Sequence, residues 1–270
     1  MTTLSLDGYS GATRVIFIAG DPIAQVQSPH GVTAGLRARG ADAIVVPAQV
    51  KPSDLESFFA LAQRLPNVDG IIVTVPHKFA ALSLCEHATP RARSIGATNV
   101  VRRGADGRWE AEMCDGEGYV AGLRKAGCEP RGRRALLVGA GGAGSAIAHA
   151  LLDAGVAALA LHDADAARRD ALAAKLRAYG ALAPQVGSTD PSGFDLVINA
   201  TPMGMRNGDP LPVEVDKLSA ATFVGDVITV PAVPPLIEAA RARGCGHMTG
   251  AGMFEAVRER LLDFYLERIR

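Results

Sequence analysis

The chain has 270 residues, 48% of them hydrophobic, and its 28 Lys+Arg balance its 28 Asp+Glu. At roughly 100–200 residues per domain the length favours two domains, and the even charge gives no sign of a nucleic-acid or anionic-membrane partner. The four scattered cysteines (Cys85, Cys114, Cys128, Cys245) form no CxxC, so neither a zinc site nor a disulfide framework is expected and a reducing cytoplasm is the default compartment.

Met1 to Ala12 is polar, without the basic start and apolar core of a signal peptide. No apolar run approaches the ~20 residues that span a bilayer. Arg14 to Gly20 reads as a buried strand closed by Asp21-Pro22. Ser28-Pro29 opens a helix to about Gly40, with serine at the cap and proline in the first turn. Ala43 to Pro47 is a strand, Pro52 to Leu65 an amphipathic helix and Gly70 to Val75 a third strand, followed by a helix from about His77. Ala97 to Val101 is another strand, and Asp106-Gly107 a hairpin turn. Strands alternating with helices imply a mostly parallel sheet.

A helix follows Asp115 and ends near Gly127, and the pattern then restarts. Ala135 to Val138 is a strand, Ala143 to Ala154 a helix, Ala157 to His162 a strand and Asp165 to Tyr179 a helix. Strands at Leu196 to Asn199 and Thr222 to Val227, a helix from Pro234 to Arg243 and an amphipathic helix from about Met253 to the C-terminus complete the chain. The fold class is α/β in two domains. Residues 1–114 form an N-terminal, mostly parallel α/β domain, residues 115–246 a Rossmann dinucleotide-binding domain, and residues 247–270 the final helical segment.

Gly139-Ala140-Gly141-Gly142-Ala143-Gly144 fits G-x-G-x-x-G through Gly139, Gly141 and Gly144. The first glycine allows a tight turn, the second lets the backbone approach a pyrophosphate, and the third lets helix and strand pack closely. The free N–H groups of the helix start then face the phosphates. The motif follows a clear strand and opens a clear helix, which is its confirming context. Asp163 ends the next strand. It reads either as the acceptor for the adenosine ribose hydroxyls, which would repel a 2′-phosphate and favour NAD over NADP, or as the cap of the following helix. Arg168 and Arg169 are close enough along the chain to favour a phosphate instead.

Lys78 follows the apolar run Ile71 to Val75, and Asp115 comes later, both ahead of the glycine loop. That order suggests a substrate domain with a Lys/Asp pair before a nicotinamide domain. Oxidising a secondary alcohol needs a hydride acceptor and a base for the hydroxyl proton. Lysine serves as that base when burial or a neighbouring cation lowers its pKa from the ordinary ~10.4. A nearby aspartate favours the charged lysine, so its role would be to orient. On spacing alone, Lys78 as a solvated residue of a first helical turn and Asp115 as a helix cap stay open.

Seven segments taken in order resemble the shikimate dehydrogenase family. They are Gly20 to Ala24 with Ser28-Pro29, Val73 to Lys78, Gly96 to Asn99, Asp115 to Gly118, Gly139 to Gly144, Asn199 to Met205 and Gly250 to Met253. The resemblance implies an active-site cleft between the two domains, a last helix that returns to the first domain, and a place in aromatic amino acid biosynthesis. It makes Lys78 and Asp115 the catalytic pair and Ser28, Thr74 and Asn99 contacts to the substrate. It assigns Gly139 to Gly144 to the cofactor phosphates, and places Thr201, Val227 and Gly250 near the cofactor. Asp163 falls where NADP-dependent members carry an arginine, which again points to NAD. The implied partner is a small cyclic hydroxy acid such as shikimate or quinate, bound by a monomer or homodimer.

The departures bear on that substrate. Val26 stands where a first carboxylate-binding serine is expected, Val257 where a glutamine usually contacts a ring hydroxyl, and Thr229 where a tyrosine lies near the carboxylate. Met113-Cys114 replaces an Asn-Thr pair, and His77 takes an aromatic position beside the lysine. Each polar group left unpaired costs roughly 1–3 kcal/mol, so the chemistry reads as retained and the pocket as altered. His77 is open as a packing residue or as a functional one, a second acid/base or a new substrate contact. Two other readings stay open: a dinucleotide-binding sensor that has lost catalysis, and a related enzyme acting on a folate.

Overall fold

The computed structural model describes residues 8–180 and 182–269. The reading of Met1 to Asp7 as part of a polar start lies outside the described residues, as does Arg270; the last helix ends at Leu266, short of the C-terminus to which it was expected to run. Two compact units divide the chain: residues up to Cys114 together with those from Arg258 onward, and Asp115–Val257.

The first unit contains β1 (Arg14–Gly20), α1 (Ser28–Ala38), β2 (Ala43–Gln49), α2 (Leu55–Gln63), β3 (Val68–Val73), α3 (Lys78–Ser83), β4 (His87–Ala88), α4 (Pro90–Ile95), β5 (Val100–Arg103) and β6 (Trp109–Glu112). Its sheet runs β2-β1-β3-β5-β6-β4. β1 pairs in parallel with β2 and β3, and β4 with β6, whereas β5 is antiparallel to both β3 and β6. The antiparallel β5–β6 pair is a hairpin closed by the turn at Asp106-Gly107, where Gly107 takes φ +80 and the Gly104 N–H donates to the Arg108 carbonyl at 2.7 Å. β2 continues through Pro47 to Gln49 because it is an edge strand and needs no outward N–H there. Ile71, Val73, Phe59, Val101 and Trp109 form the apolar cluster on one face of the sheet. Trp109 is held from above by the Arg103 guanidinium, 4.8 Å from its ring.

The second unit contains α5 (Asp115–Lys125), β7 (Arg134–Val138), α6 (Gly142–Asp153), β8 (Ala158–His162), α7 (Ala166–Tyr179), β9 (Gln185–Val186), β10 (Leu196–Asn199), β11 (Phe223–Asp226), α8 (Pro235–Ala242), β12 (Gly246–Met248) and the start of α9 (Gly250–Leu266). Its strands lie in the order β12-β11-β10-β7-β8-β9, and every pairing is parallel. Numbered within the unit this is 6-5-4-1-2-3, the doubly wound Rossmann order. Chain order reverses between β7 and β10, which makes their carboxyl ends the switch point where such sheets bind ligands. Leu136, Val138, Val197, Val224, Leu236 and Ile237 pack beside the sheet as a dry layer. α7 starts where Asp165 accepts the Arg168 N–H at 3.2 Å, so Asp165, not Asp163, caps that helix.

No helix among the described residues is long and apolar enough to cross a membrane.

Candidate active site

In the first unit the residues singled out from sequence gather at the carboxyl ends of β1 and β3. Ser28 opens α1 and is buried, with Pro29 in the first turn. Thr74 follows β3 directly, and its N–H donates to the Ala19 carbonyl of β1 at 3.0 Å. The Thr74 carbonyl accepts the His77 N–H at 2.9 Å, closing the turn that delivers Lys78 to the first position of α3. The Thr98 N–H donates to the Lys78 carbonyl at 2.9 Å, and the Thr98 hydroxyl donates to the carbonyls of Val100 and Glu112. The backbone under Lys78 is therefore fixed from two directions.

Asn99, 3% exposed, lies beside this turn. Its carbonyl accepts the Val73 N–H at 2.8 Å, and its side-chain Oδ1 accepts the Cys114 N–H at 2.7 Å. Asn99 thus fixes the residue that immediately precedes Asp115. His77 is buried, and its Nε2 donates to the Val50 carbonyl at 2.7 Å. Of the two open readings the structure favours the packing one, since that nitrogen ties α3 to the end of β2. Cys114 is buried as well, as a small residue of the interior.

Asp115 is the first residue of α5 and opens the second unit, 5% exposed. The glycine loop lies between β7 and α6. Gly139 takes φ +107, and a Cβ on it would meet the Ala200 carbonyl carbon and oxygen at 2.8 Å. A Cβ on Gly144 would overlap the Gly139 carbonyl, so strand, loop and helix fit only with hydrogen at both places. Around Gly141, by contrast, no described residue beyond its own chain neighbours comes within 4 Å of where a Cβ would be. The protein itself makes no demand for glycine there, and the open space beside the N-terminus of α6 suits a phosphate approached by bare backbone. Ala140, Gly142 and Ala143 complete the loop, and the Ser145 N–H donates to the Gly141 carbonyl at 2.8 Å.

On the other side of the switch point, the Thr201 hydroxyl donates to Asn199 Oδ1 at 2.6 Å and accepts the Met203 N–H at 3.1 Å. The Val227 N–H donates to the Asn199 carbonyl at 3.2 Å. Gly250 opens α9 against the carbonyls of Val227 and Ile228, where a Cβ would overlap the Ile228 oxygen. Asn199 and Asp226 stand opposite each other at the ends of β10 and β11, both wholly buried. Asp226 escaped the sequence reading. A carboxylate closing an apolar strand, beside an asparagine closing another, was the signal available.

Residues 18–101 match the model of the shikimate dehydrogenase substrate binding domain. The shikimate dehydrogenase (NADP(+)) of Methylobacterium radiotolerans is 36% identical over 260 residues, covering 90% of this chain and 88% of the relative. That of Rubrobacter xylanophilus is 34% identical over 252 residues, covering 92% and 88%. The chain belongs to the shikimate dehydrogenase family. A solved family-like structure, the ligand-free 5-ketofructose reductase of a Gluconobacter species, superposes with a TM-score of 0.82 at 30% identity, covering 95% of this chain and 94% of that one.

Membership in this family corrects the expected preference for NAD over NADP, because these sequence relatives are named as NADP(+) enzymes. The structure supplies the physical reason why Asp163 misled. One carboxylate oxygen accepts the Ala140 N–H at 2.7 Å and the other the Asp165 N–H at 2.8 Å. Arg168 Nη1 lies 3.9 Å from the same group. Asp163 is committed to fastening the glycine loop to the end of β8, and a cation stands beside it. Among the family departures, Val257 is buried, with its side chain and backbone against Gly118 of α5. Met113 is wholly buried.

Proposed function

We propose that the chain is an NADP-dependent dehydrogenase of the shikimate dehydrogenase type, with a secondary alcohol of a cyclic hydroxy acid as its substrate. The likeness to shikimate dehydrogenases (NADP(+)) over 90–92% of this chain at 34–36% identity carries the reading. A nicotinamide held by the loop from Gly139 to Gly144 would supply or accept the hydride. Lys78 takes the hydroxyl proton in the oxidative direction, and Asp115 orients its ammonium group. Ser28, Thr74 and Asn99 contact the substrate, and Asn99 also fixes the chain entering Asp115. The loop from Gly139 to Gly144 receives the phosphates, with Arg168 placed to meet a 2′-phosphate beside the already occupied Asp163. Thr201, Val227 and Gly250 shape the nicotinamide end.

A second reading of the substrate has its own support. The solved relative at 30% identity is a 5-ketofructose reductase, and Val26 stands where a serine would bind a carboxylate. A polyhydroxy ketone without a carboxylate is that alternative, reduced by the same Lys78 chemistry run in reverse. Rates with NADP+ and shikimate or quinate, set beside rates with NADPH and 5-ketofructose, separate the two. Turnover of a ring hydroxy acid supports the first, and turnover of the ketose alone supports the second. Failure of both, in protein that binds NADPH, overturns the dehydrogenase reading as stated.

A further inference from the structure

β10 and β11 are apolar until their last residues. There the sheet places Asn199 opposite Asp226, both wholly buried. An apolar pair would satisfy the packing at lower desolvation cost, since buried polar groups stabilise only when fully hydrogen-bonded. This pair is hydrogen-bonded on every side. Asn199 Nδ2 donates to both Asp226 oxygens at 3.2 Å and to the Met203 carbonyl at 3.2 Å. Asn199 Oδ1 accepts the Thr201 N–H at 3.0 Å and its hydroxyl at 2.6 Å. Asp226 Oδ1 accepts the Ile228 N–H at 2.9 Å.

The bonds run outward into two loops. One is 200–205, whose Ala200 carbonyl abuts Gly139 of the phosphate loop. The other is 227–229, whose Ile228 carbonyl abuts Gly250 at the start of α9. Both loops leave the carboxyl end of the sheet, where a doubly wound sheet binds its ligand. Behind the pair, Gly225 leaves room for the Tyr119 hydroxyl, which is buried and has no hydrogen-bond partner among the described residues. The Asn199–Asp226 side-chain contact, together with the Val227 N–H bond to the Asn199 carbonyl, is therefore a polar fastening between the two loops.

We propose that Asn199 and Asp226 are a positioning pair for hydride transfer, holding the loops after β10 and β11 in one register so that Thr201 and Val227 present a fixed surface to the nicotinamide. The proposal rests on the dehydrogenase reading above. Neither residue touches the reacting atoms in this scheme, and both act through the loop backbone. A misplacement of about 1 Å at a distance from the chemistry costs about 100-fold in rate.

The test uses Asp226→Asn, Asn199→Asp and the exchange that combines them, in the full chain. In Asp226→Asn, whichever way the new amide turns, its NH2 faces another donor, either Asn199 Nδ2 or the Ile228 N–H. In Asn199→Asp, two carboxyls face each other. The exchange restores one donor opposite one acceptor, gives up the second of the two bonds between the side chains, and sets a carboxylate oxygen where a donor faced the Met203 carbonyl. We measure kcat, KM for NADPH, NADPH affinity by fluorescence, melting temperature, and amide hydrogen exchange at Thr201, Met203 and Ile228. The expected result is a kcat reduced about 10- to 100-fold in each single variant, faster exchange at the three amides, and recovery of at least tenfold in the exchange variant. Wild-type kcat and wild-type exchange in folded single variants would overturn the proposal. So would losses that follow melting temperature alone and are not recovered in the exchange variant. If the wild type binds NADPH but turns over no substrate, the dehydrogenase reading fails. The pair is then judged on NADPH affinity and exchange: changes that the exchange variant reverses sustain the fastening, and unchanged values refute it.

Discussion

Asp226 gives the account a stability prediction whose sign is not obvious. Burial pushes its carboxyl from the ordinary 3.8 up to about 7, against the opposing pull of the Ile228 and Val227 N–H groups and the Asn199 amide. Tyr119, itself raised by burial, faces the same pocket with its neutral phenol. A folded pKa above the unfolded one means that the folded state holds the proton more tightly. The stabilisation is complete below the unfolded value and is lost as pH rises toward 7. For a shift from 3.8 to about 7, the part lost between pH 5 and pH 8 is about 2.5 kcal/mol. Asp226→Asn does not titrate and lacks this dependence. Urea melts of both proteins at intervals from pH 5 to 8, followed by far-UV circular dichroism, give the difference directly. Tryptophan fluorescence is the wrong probe, because Trp109 lies in the first unit and Asp226 in the second. The wild type should lose about 2.5 kcal/mol relative to the variant across that range. A difference that stays flat, or that grows in favour of the wild type as pH rises, would mean that the N–H donors dominate and would refute the argument.

Three further outcomes follow from the packing. Gly250→Ala places a methyl group against the Ile228 oxygen and 2.7 Å from the Val227 oxygen; the overlap should cost about 1–3 kcal/mol in urea melts and raise KM for NADPH, and a variant with wild-type midpoint and KM would contradict the contact. Arg103 donates to the carbonyls of Val68, Gln63, Gly107, Ala62 and Leu65. An ammonium cannot reproduce that fork, so Arg103→Lys should destabilise the first unit by about 2 kcal/mol or more, read by Trp109 fluorescence, and a change under about 0.5 kcal/mol would count against it. Asp163→Ala removes the acceptor of the Ala140 N–H and should weaken NADPH binding about tenfold by loosening the loop. Tighter NADPH binding in that variant would restore the view that the carboxylate only repels a 2′-phosphate.

The fold was legible wherever local chemistry and tertiary context agreed. Pro29 in the first turn of α1 and Asp165 at the start of α7 are start signals that the structure uses as such, whereas α4, capped by Thr89, was not read from sequence. The short strands β4, β9 and β12 were not read from sequence. β4 and β9 have two residues each and β12 three, too short for a period-two pattern. The strand expected from Ala97 begins only at Val100, and the Thr98 N–H goes to the Lys78 carbonyl instead of to a strand partner. The site was legible as motifs but not as bonding. Asp163 stood at the right distance from the glycine loop for a ribose contact, yet no spacing argument shows that the Ala140 N–H already occupies its carboxylate. Asp226 was missed for the complementary reason: its partner Asn199 is 27 residues away and becomes its neighbour only through the parallel register of β10 and β11.

In the proposed reaction Lys78 moves the substrate proton and NADP is the hydride carrier. The most direct test is the initial rate of NADP+ reduction with shikimate and quinate at alkaline pH, and of NADPH oxidation with 5-ketofructose, for the wild type and Lys78→Ala, with NADPH affinity measured for both. The wild type should turn over at least one substrate, Lys78→Ala should lose that turnover, and the two proteins should bind NADPH equally well. Equal turnover in Lys78→Ala would contradict that role of Lys78.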